Sequence, residues 1–344
     1  MDFKNKNFTN TQGWSMEELN YLIDLAFYFR KNGVPKLLQG KAIALLFFNP
    51  SLRTRTSMEV AIYRLGGHAS IIHPGKDAWQ LEIREGVIMD NEAEEHIKEA
   101  IKVLSFFYDC IAIRAFPKFH SWEEDRKDLI LNAVLKWANK PIINMETIIH
   151  PLQELALMME LKNHFKELIG KKFLLTWTYH PRGLNTAVAN SAIMIATRLG
   201  MEVTILRPPN YDLDDKFLAI ARSNAAEYGN EVHITEDIES AYRGADFVYA
   251  KSWGSLSYFS RWEEEKHIRE KYKNYIVSSD KMRLTNNAYF SHCLPLRRNV
   301  KATDEVVDSD YSLVYEEAEN RLYTACALLS LILSDKEIDF IKEE

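Results

Sequence analysis

The sequence has few of the features that mark secreted, membrane or metal-binding proteins. Its 344 residues contain only three cysteines, Cys110, Cys293 and Cys326, which fit neither a disulfide framework nor a metal-ligand motif. The first residues lack the apolar segment of a secretory signal. The longest apolar runs, such as 42–48, are far shorter than the roughly 20 residues of a membrane span. We therefore expect a reduced, cytoplasmic protein that does not enter a membrane.

The sequence also carries less positive than negative charge. Lys and Arg number 43 against 49 Asp and Glu, which gives a formal net charge of −6, and no basic block is present. This balance argues against a nucleic-acid partner. No Gly-x-Gly-x-x-Gly fingerprint follows a predicted strand, which counts against a dinucleotide site.

Short apolar runs alternate with helical patterns along the chain. The predicted strands cover 42–48, 69–73, 110–114, 141–145, 172–178, 202–206, 231–234, 246–250, 288–292 and 312–315. The predicted helices cover about 16–30, 52–65, 92–107, 121–138, 151–167, 185–199, 214–228, 236–243, 260–273 and 318–333. This alternation predicts an α/β fold of two doubly wound domains, each a parallel sheet flanked by helices. We expect domains at 1–153 and 154–319, with a C-terminal helix, 320–344, packing back on the first.

Residues 49–57, NPSLRTRTS, directly follow the apolar run 42–48. A buried strand is predicted to end here and a helix to begin, with Ser51, Arg53 and Thr54 in its first turn. Free backbone N–H groups and the positive end of the helix dipole favour an anion at such a position. Guanidiniums and hydroxyls add charge-assisted donors that suit a phosphate. Because arginine at a helix N-terminus opposes the dipole, a phosphate-like ligand is favoured over a simple cap.

Other polar stretches follow predicted strands, where ligands bind in sheets of this kind. Arg114 closes one strand as either a salt-bridge anchor or a second phosphate ligand. His150 and Gln153 lie where a helix begins at Pro151, and both can donate to a carbonyl oxygen, although His150 could simply cap the helix. 

Two stretches in the second half remain ambiguous when taken alone. Cys293 beside His292 is either a nucleophile or, as for most free cysteines, a small buried residue. Lys251 either neutralises a substrate carboxylate or faces solvent. 

Together these motifs resemble the aspartate/ornithine carbamoyltransferase family. The stretches SLRTR (51–55), HPLQ (150–153) and HCLP (292–295), with Arg114, occur in that family's order and approximate spacing. The chain lacks the Ser-Met-Gly loop of the ornithine-specific enzymes. It is most similar to the branch that acts on N-acylated ornithines, through stretches at 74–79, 116–119, 176–181, 249–253, 292–301 and 317–321.

The resemblance implies that the first domain binds carbamoyl phosphate and the second an acylated ornithine. The carbamoyl group would pass to the δ-amine of N-acetylornithine, with N-succinylornithine or another amine as the alternative acceptor. A homotrimer with shared sites is implied, with neither a metal nor an organic cofactor. The implied carbamoyl phosphate ligands are Ser51, Leu52, Arg53, Thr54, Trp79, Arg114, His150, Pro151, Leu152, Gln153, Cys293, Leu294 and Arg321.

By the same resemblance, Glu146, Lys251 and Leu294 contact the acceptor. The residues implied in catalysis are His150, Arg53, Thr54 and Cys293, the last as a residue that positions the amine. Trp79 would lie on a loop that reaches a neighbouring subunit's site.

Three further expectations follow from the resemblance. Glu94 stands where acetyl-specific members carry a glutamate, and its charge would repel a succinyl carboxylate. The alternative is that Glu94 belongs only to the acidic first turn of the helix 92–107. Lys301 matches a lysine that is carboxylated in the acetyl branch. In relatives of this branch the chain forms a knot in the second domain. Relatives also often carry proline where this chain has Gly183.

Overall fold

A computed structural model describes residues 1–336 and 338 of the chain. The chain divides into two compact units. The first comprises Met1–Pro117, Glu123–Leu155 and the chain from Asn320, and the second comprises Lys118–Trp122 and Ala156–Glu319. The predicted extension of the last helix to residue 344 falls mostly outside the described residues.

The strands and helices alternate as expected from the sequence. The strands are β1 (Ala42–Phe47), β2 (His68–Ile72), β3 (Leu81–Glu82), β4 (Glu95–His96), β5 (Cys110–Arg114), β6 (Ile142–Glu146), β7 (Lys172–Trp177), β8 (Glu202–Leu206), β9 (His233–Thr235), β10 (Phe247–Lys251) and β11 (Tyr289–Ser291). The helices are α1 (Met16–Asn32), α2 (Arg53–Arg64), α3 (Ile97–Phe107), α4 (Trp122–Asp125), α5 (Leu129–Trp137), α6 (Pro151–His164), α7 (Ala187–Arg198), α8 (Asp215–Ala226), α9 (Ile238–Tyr242), α10 (Trp262–Arg269), α11 (Ser279–Met282), α12 (Asp304–Val307) and α13 (Val314–Leu333).

The first unit contains a four-stranded parallel sheet in the order β2-β1-β5-β6. On one of its faces, Ala44 of β1 and Ile113 of β5 pack with Ile101 of α3 and Val134 of α5. The chain leaves β1 towards β2 on one side and reaches β5 on the other. The carboxyl ends of β1 and β5 therefore form the switch point at which ligands bind in such sheets.

Two predicted helices of the first unit differ from the structure. The predicted helix 92–107 begins only at Ile97, where the His96 side chain accepts the first-turn N–H of Lys98. Residues 95–96 instead pair with 81–82 as a small parallel sheet. The alternative that Glu94 lies in a helical first turn is therefore wrong. The predicted helix 121–138 is split into α4 and α5, because Asp128 between them has a left-handed φ of 48°.

The second unit contains a five-stranded parallel sheet in the order β11-β10-β7-β8-β9. Its switch point lies between β7 and β10. The predicted strand 312–315 is wrong, since Ser312 makes a single bridge to Phe290 and α13 begins at Val314. The predicted helix 260–273 is α10 followed by a 3₁₀ segment, Glu270–Tyr275. The knot implied for this domain stays a prediction.

The predicted α/β architecture of two parallel sheets flanked by helices is confirmed. Within the described part of the chain, no helix combines the length and the apolar character needed to cross a lipid bilayer.

Candidate active site

The predicted anion site lies at the start of α2, directly after β1. Ser51 Oγ accepts the backbone N–H of Thr54 at 3.2 Å and so caps the first turn. That turn contains Arg53 and no acidic residue, so nothing in it offsets the positive helix end. Thr54 is buried and Arg53 half-buried, whereas the Leu52 side chain is 71% exposed.

Arg321, on α13, links the first turn of α2 to the first turn of α6. Its Nη2 donates to Thr54 Oγ1 at 3.1 Å, and its Nη1 donates to Gln153 Oε1 at 2.8 Å. The same Nη1 lies 3.4 Å from His150 Nε2. All four side chains are buried. A single guanidinium thus gathers the residues assigned to the phosphate and carbonyl ends of one ligand.

Arg114 brings a second guanidinium to the same place from the end of β5. It forms a buried ion pair with Glu146 at the end of β6, and its Nη1 lies 3.5 Å from Thr54 Oγ1. The Phe116 ring packs against it, with 4.3 Å between the ring centroid and Arg114 Cζ. Glu146 Oε2 is also 3.3 Å from His150 Nε2. Two buried cations beside hydroxyl donors form a cluster whose chemistry suits a phosphate.

The remaining predicted residues of the first unit do not join this cluster. Pro151 and Leu152 are buried in the first turn of α6, where proline suits the first helical position. The Trp79 side chain is 65% exposed, beside a turn in which Gly75 N–H donates to Ala78 O at 3.0 Å. Glu94 is exposed immediately before β4.

The second unit brings Lys251 and Cys293 together at the carboxyl ends of β10 and β11. Lys251 Nζ lies 3.6 Å from Cys293 Sγ. Cys293 is buried, and Leu294 has a left-handed φ of 50°. The Leu294 N–H donates to His292 Nδ1 at 2.8 Å, so the imidazole holds this strained turn in place.

The same contact determines the tautomer of a neutral His292 and, through it, the charge state of Lys301. Because Nδ1 is an acceptor, a neutral His292 carries its proton on Nε2. That nitrogen is 3.2 Å from Lys301 Nζ, which must then act as an acceptor, that is, as an uncharged amine. Burial and, to a lesser extent, the positive charge of Lys251 lower the pKa of Lys301 to about 7. Geometry and electrostatics thus agree on a neutral amine just above neutral pH.

Two contributors were missed from the sequence. Asn49 Oδ1 accepts the Phe116 N–H at 2.7 Å and ties the loop after β1 to the loop after β5. Glu317 accepts hydrogen bonds from Tyr249 Oη, at 2.8 Å, and from Ser291 Oγ, beneath the ends of β10 and β11. An asparagine directly before Pro50 was the sequence signal available for Asn49. Glu317 lies in the stretch 317–321 that resembles the family, but that resemblance assigned its side chain no role. Among the described residues, no group of three His, Cys, Asp or Glu side chains is arranged to hold a metal.

Family models match both units. Residues 6–163 match the carbamoyl-P binding domain of aspartate/ornithine carbamoyltransferase, and residues 177–332 match its Asp/Orn binding domain. The chain belongs to the aspartate/ornithine carbamoyltransferase family. The predicted family is thereby confirmed. Arg114 lies within the match to the carbamoyl-P binding domain, whereas Arg321 lies within the match to the Asp/Orn binding domain.

Similar proteins within the family include acetylornithine enzymes. The N-acetylornithine carbamoyltransferase of Xanthomonas campestris pv. campestris is 54% identical over 331 residues, which are 95% of this chain and 98% of the relative. A solved structure of an acetylornithine transcarbamylase complexed with acetylcitrulline has a TM-score of 0.94 and 53% identity, over 96% of this chain and all (100%) of that one. 

This chain is equally similar to a solved variant of an N-acetyl-L-ornithine transcarbamylase in which one glutamate is replaced by proline. That variant was solved with carbamyl phosphate and N-succinyl-L-norvaline, and has a TM-score of 0.94 and 53% identity over 95% of this chain and 100% of that one.

Proposed function

We propose that this chain transfers the carbamoyl group of carbamoyl phosphate to the δ-amine of N-acetyl-L-ornithine, giving N-acetyl-L-citrulline and phosphate, a step of arginine biosynthesis. The observation that carries the proposal is the buried cluster in which Arg321 joins Thr54 to Gln153, with Arg114 beside it. It occurs in a chain 54% identical to an N-acetylornithine carbamoyltransferase over nearly the full length of both. The first unit takes carbamoyl phosphate in this proposal, and the second takes the acylated ornithine.

The reaction needs no covalent enzyme intermediate, because carbamoyl phosphate is already activated. The neutral δ-amine attacks the carbonyl carbon, a C–N bond forms, and the C–O bond to phosphate breaks after the amine loses a proton. Arg53, Arg114 and Arg321, with Ser51 and Thr54, stabilise the phosphate as it leaves. His150 and Thr54 polarise the carbonyl as an oxyanion site does. Neither a metal nor an organic cofactor takes part in these steps.

The second unit holds the acceptor in this proposal. Lys251 would pair with a substrate carboxylate, and the backbone at Leu294 would contact the acceptor. Cys293 is buried and lies 3.6 Å from Lys251 Nζ, which favours a role in positioning the amine. Holding both substrates in line supplies the remaining catalysis.

The deciding experiment offers ornithine, N-acetylornithine and N-succinylornithine in parallel, each with carbamoyl phosphate, and measures the citrulline-type product. We expect the acetylated acceptor to give the highest kcat/KM. A higher value for succinylornithine would establish the alternative, and no product with any acceptor would refute the proposal.

Glu94 is expected to select against the succinyl group. It lies outside α3, so its carboxylate is not part of the first turn of that helix. Replacement by proline or alanine should raise the kcat/KM ratio of succinylornithine to acetylornithine by roughly ten- to a hundredfold, since like-charge contacts cost several kcal/mol. Glu92→Ala, at another exposed glutamate of the same segment, is the matched control. An unchanged ratio in the Glu94 variants, or an equal change in Glu92→Ala, would remove the basis for this assignment.

Lys301 is expected to react with carbon dioxide. Its neutral amine would attack the CO₂ carbon, forming an N–C bond and releasing one proton to water. The resulting carbamate would be negative beside Lys251 and Arg297, the same cations that disfavour a protonated Lys301. Uptake should rise with pH through about 7, as the amine loses its proton.

Carbon-13 NMR with labelled bicarbonate would detect the carbamate. Lys301→Met should abolish the signal. Lys281→Met is the control and should keep the signal, because burial also lowers the pKa of Lys281, to about 8, but its Nζ is a hydrogen-bond donor, to Ile276 O at 2.6 Å, where Lys301 Nζ is an acceptor. A signal that survives in Lys301→Met would contradict the assignment.

We also expect a cytoplasmic homotrimer in which Trp79 reaches the site of a neighbouring copy. The Trp79 and Leu52 side chains are exposed in the first unit, and so are Phe106 and Phe107 at the end of α3. Apolar groups of this kind commonly mark an interface. Sedimentation at three times the chain mass of 40.0 kDa would support the trimer, and a monomeric mass would refute it.

A further inference from the structure

We propose that α10 is a clamp that positions two loops next to Lys251, 178–186 and 252–256, and that Trp262 is its main positioning residue. The inference rests on the proposed role of Lys251 as an acceptor ligand. Trp262, Glu265 and Arg269 are spaced three and four residues apart, so they share one face of the helix. Each of them contacts one or both of these loops.

The Trp262 ring packs against a glycine from each loop. A Cβ atom on Gly183 would lie 2.5 Å and 2.8 Å from two ring carbons, and a Cβ on Gly254 would lie 3.0 Å from one of them. The Gly254 N–H donates to Leu184 O at 2.9 Å, so the loops are bonded to each other beneath the ring. The indole N–H donates to Phe119 O at 3.1 Å. Gly183 therefore does not loosen its loop, because the tryptophan ring occupies the space of the missing side chain.

The next turns of α10 hold the same loops by their backbones. Glu265 and Arg269 form an ion pair that is almost fully buried. Glu265 Oε1 accepts the Ser255 N–H at 3.0 Å, and Arg269 Nη2 donates to Pro181 O at 3.1 Å. Each partner of this buried ion pair also makes a hydrogen bond to a different loop, which helps to offset the cost of burying the two charges.

One loop leads directly to Lys251, which is assigned to the acceptor, and the other loop is hydrogen-bonded to the first. The loop 252–256 continues from Lys251 at the end of β10, and Ser252 Oγ lies 3.1 Å from Thr178 Oγ1 at the start of the other loop. His180 Nε2, in the loop 178–186, accepts from Arg297 Nε at 3.1 Å. Displacement of Lys251 by about 1 Å would cost on the order of a hundredfold in rate. The clamp thus acts on the acceptor through Lys251.

Trp262→Ala and Gly183→Ala test the clamp, the first by removing the ring and the second by displacing it. We expect both to raise the KM for N-acetylornithine at least tenfold and to lower kcat, while the KM for carbamoyl phosphate, bound by the first unit, stays within about twofold. Trp137→Ala, at a partly buried tryptophan of α5, is the matched control and should leave the acceptor KM unchanged. A normal acceptor KM in both variants, or an equal rise in the KM for carbamoyl phosphate, would overturn the proposal.

Hydrogen exchange tests the clamp independently of catalytic activity. In Trp262→Ala the amides of 178–186 and 252–256 should exchange faster, with the first unit unchanged. Unaltered exchange in both loops would overturn the clamp. If the wild-type protein carbamoylates no acceptor, the proposed function fails, while this measurement still decides whether α10 holds the loops.

Discussion

Replacement of Arg114 by methionine is expected to abolish saturable use of carbamoyl phosphate and to lower the free energy of unfolding by about 3–5 kcal/mol. The Arg114 side chain is 8% exposed, and it is paired with Glu146, which is also buried. Methionine preserves much of the volume but leaves the carboxylate without its guanidinium. It also removes a donor group from the predicted phosphate pocket, 3.5 Å from Thr54 Oγ1.

A double variant separates these two effects. Arg114→Met with Glu146→Gln removes both buried charges, so most of the lost stability should return. Binding of carbamoyl phosphate should stay lost, because the phosphate ligand is still missing. If Arg114→Met failed to bind only because it unfolds, the double variant would regain both stability and carbamoyl phosphate binding. Urea unfolding and titration calorimetry with carbamoyl phosphate alone give the two readouts, and neither depends on the acceptor that Glu146 is assigned to contact.

An exposed ion pair on α2 provides the control. Arg55 Nε lies 3.9 Å from Glu59 Oε2, and both side chains are about half exposed, at 47% and 48%. Arg55→Met with Glu59→Gln should change stability by less than about 1 kcal/mol and leave carbamoyl phosphate saturation intact. Normal saturation in Arg114→Met would show that the cluster does not bind the phosphate.

The positions of the predicted strands were mostly correct because their signal is local. Runs such as 42–48 and 110–113 are apolar throughout, as expected for parallel strands buried on both faces. The start of α3 was misplaced for the opposite reason. Glu92, Glu94 and Glu95 fit a helical first turn, but pairing of β4 with β3 takes residues 95–96 into a strand. Tertiary pairing overrode local propensity, and no local signal could have shown it.

The candidate site was predictable as a set of residues but not as a set of contacts. Arg114, Glu146 and Thr54 follow strands that end at one edge of the sheet, so their proximity follows from the fold class. The pairing of Arg114 with Glu146 depends on a register shift between β5 and β6 at Ile113 and Arg114. Such an irregularity has no signature in the sequence. The role of Gly183 was likewise not predictable from the sequence, because the Trp262 ring that packs against it comes from a distant part of the chain.

His150→Ala is expected to lower kcat by about 10²–10³, the usual loss for one oxyanion donor. His150 is buried at the start of α6, with its Nε2 3.4 Å from Arg321 Nη1 and 3.3 Å from Glu146 Oε2. The reaction develops negative charge on the carbonyl oxygen only in the transition state, so a donor aimed at that oxygen acts mainly on kcat. Binding of carbamoyl phosphate should weaken less, because the arginines hold its phosphate.

The comparison with Gln153→Ala shows whether His150 works alone. Gln153 Oε1 accepts from Arg321 at 2.8 Å, and a glutamine side chain is also a donor, so Gln153 is a second candidate donor to the same carbonyl. If both residues serve one oxygen, the double variant should lose less activity than the product of the two single losses, because groups acting as a unit are not additive. A loss confined to the KM for carbamoyl phosphate, with kcat unchanged, would mean that His150 binds the ground state and does not stabilise the oxyanion. Residual turnover in the double variant measures what Thr54, phosphate binding and proximity supply without His150 and Gln153.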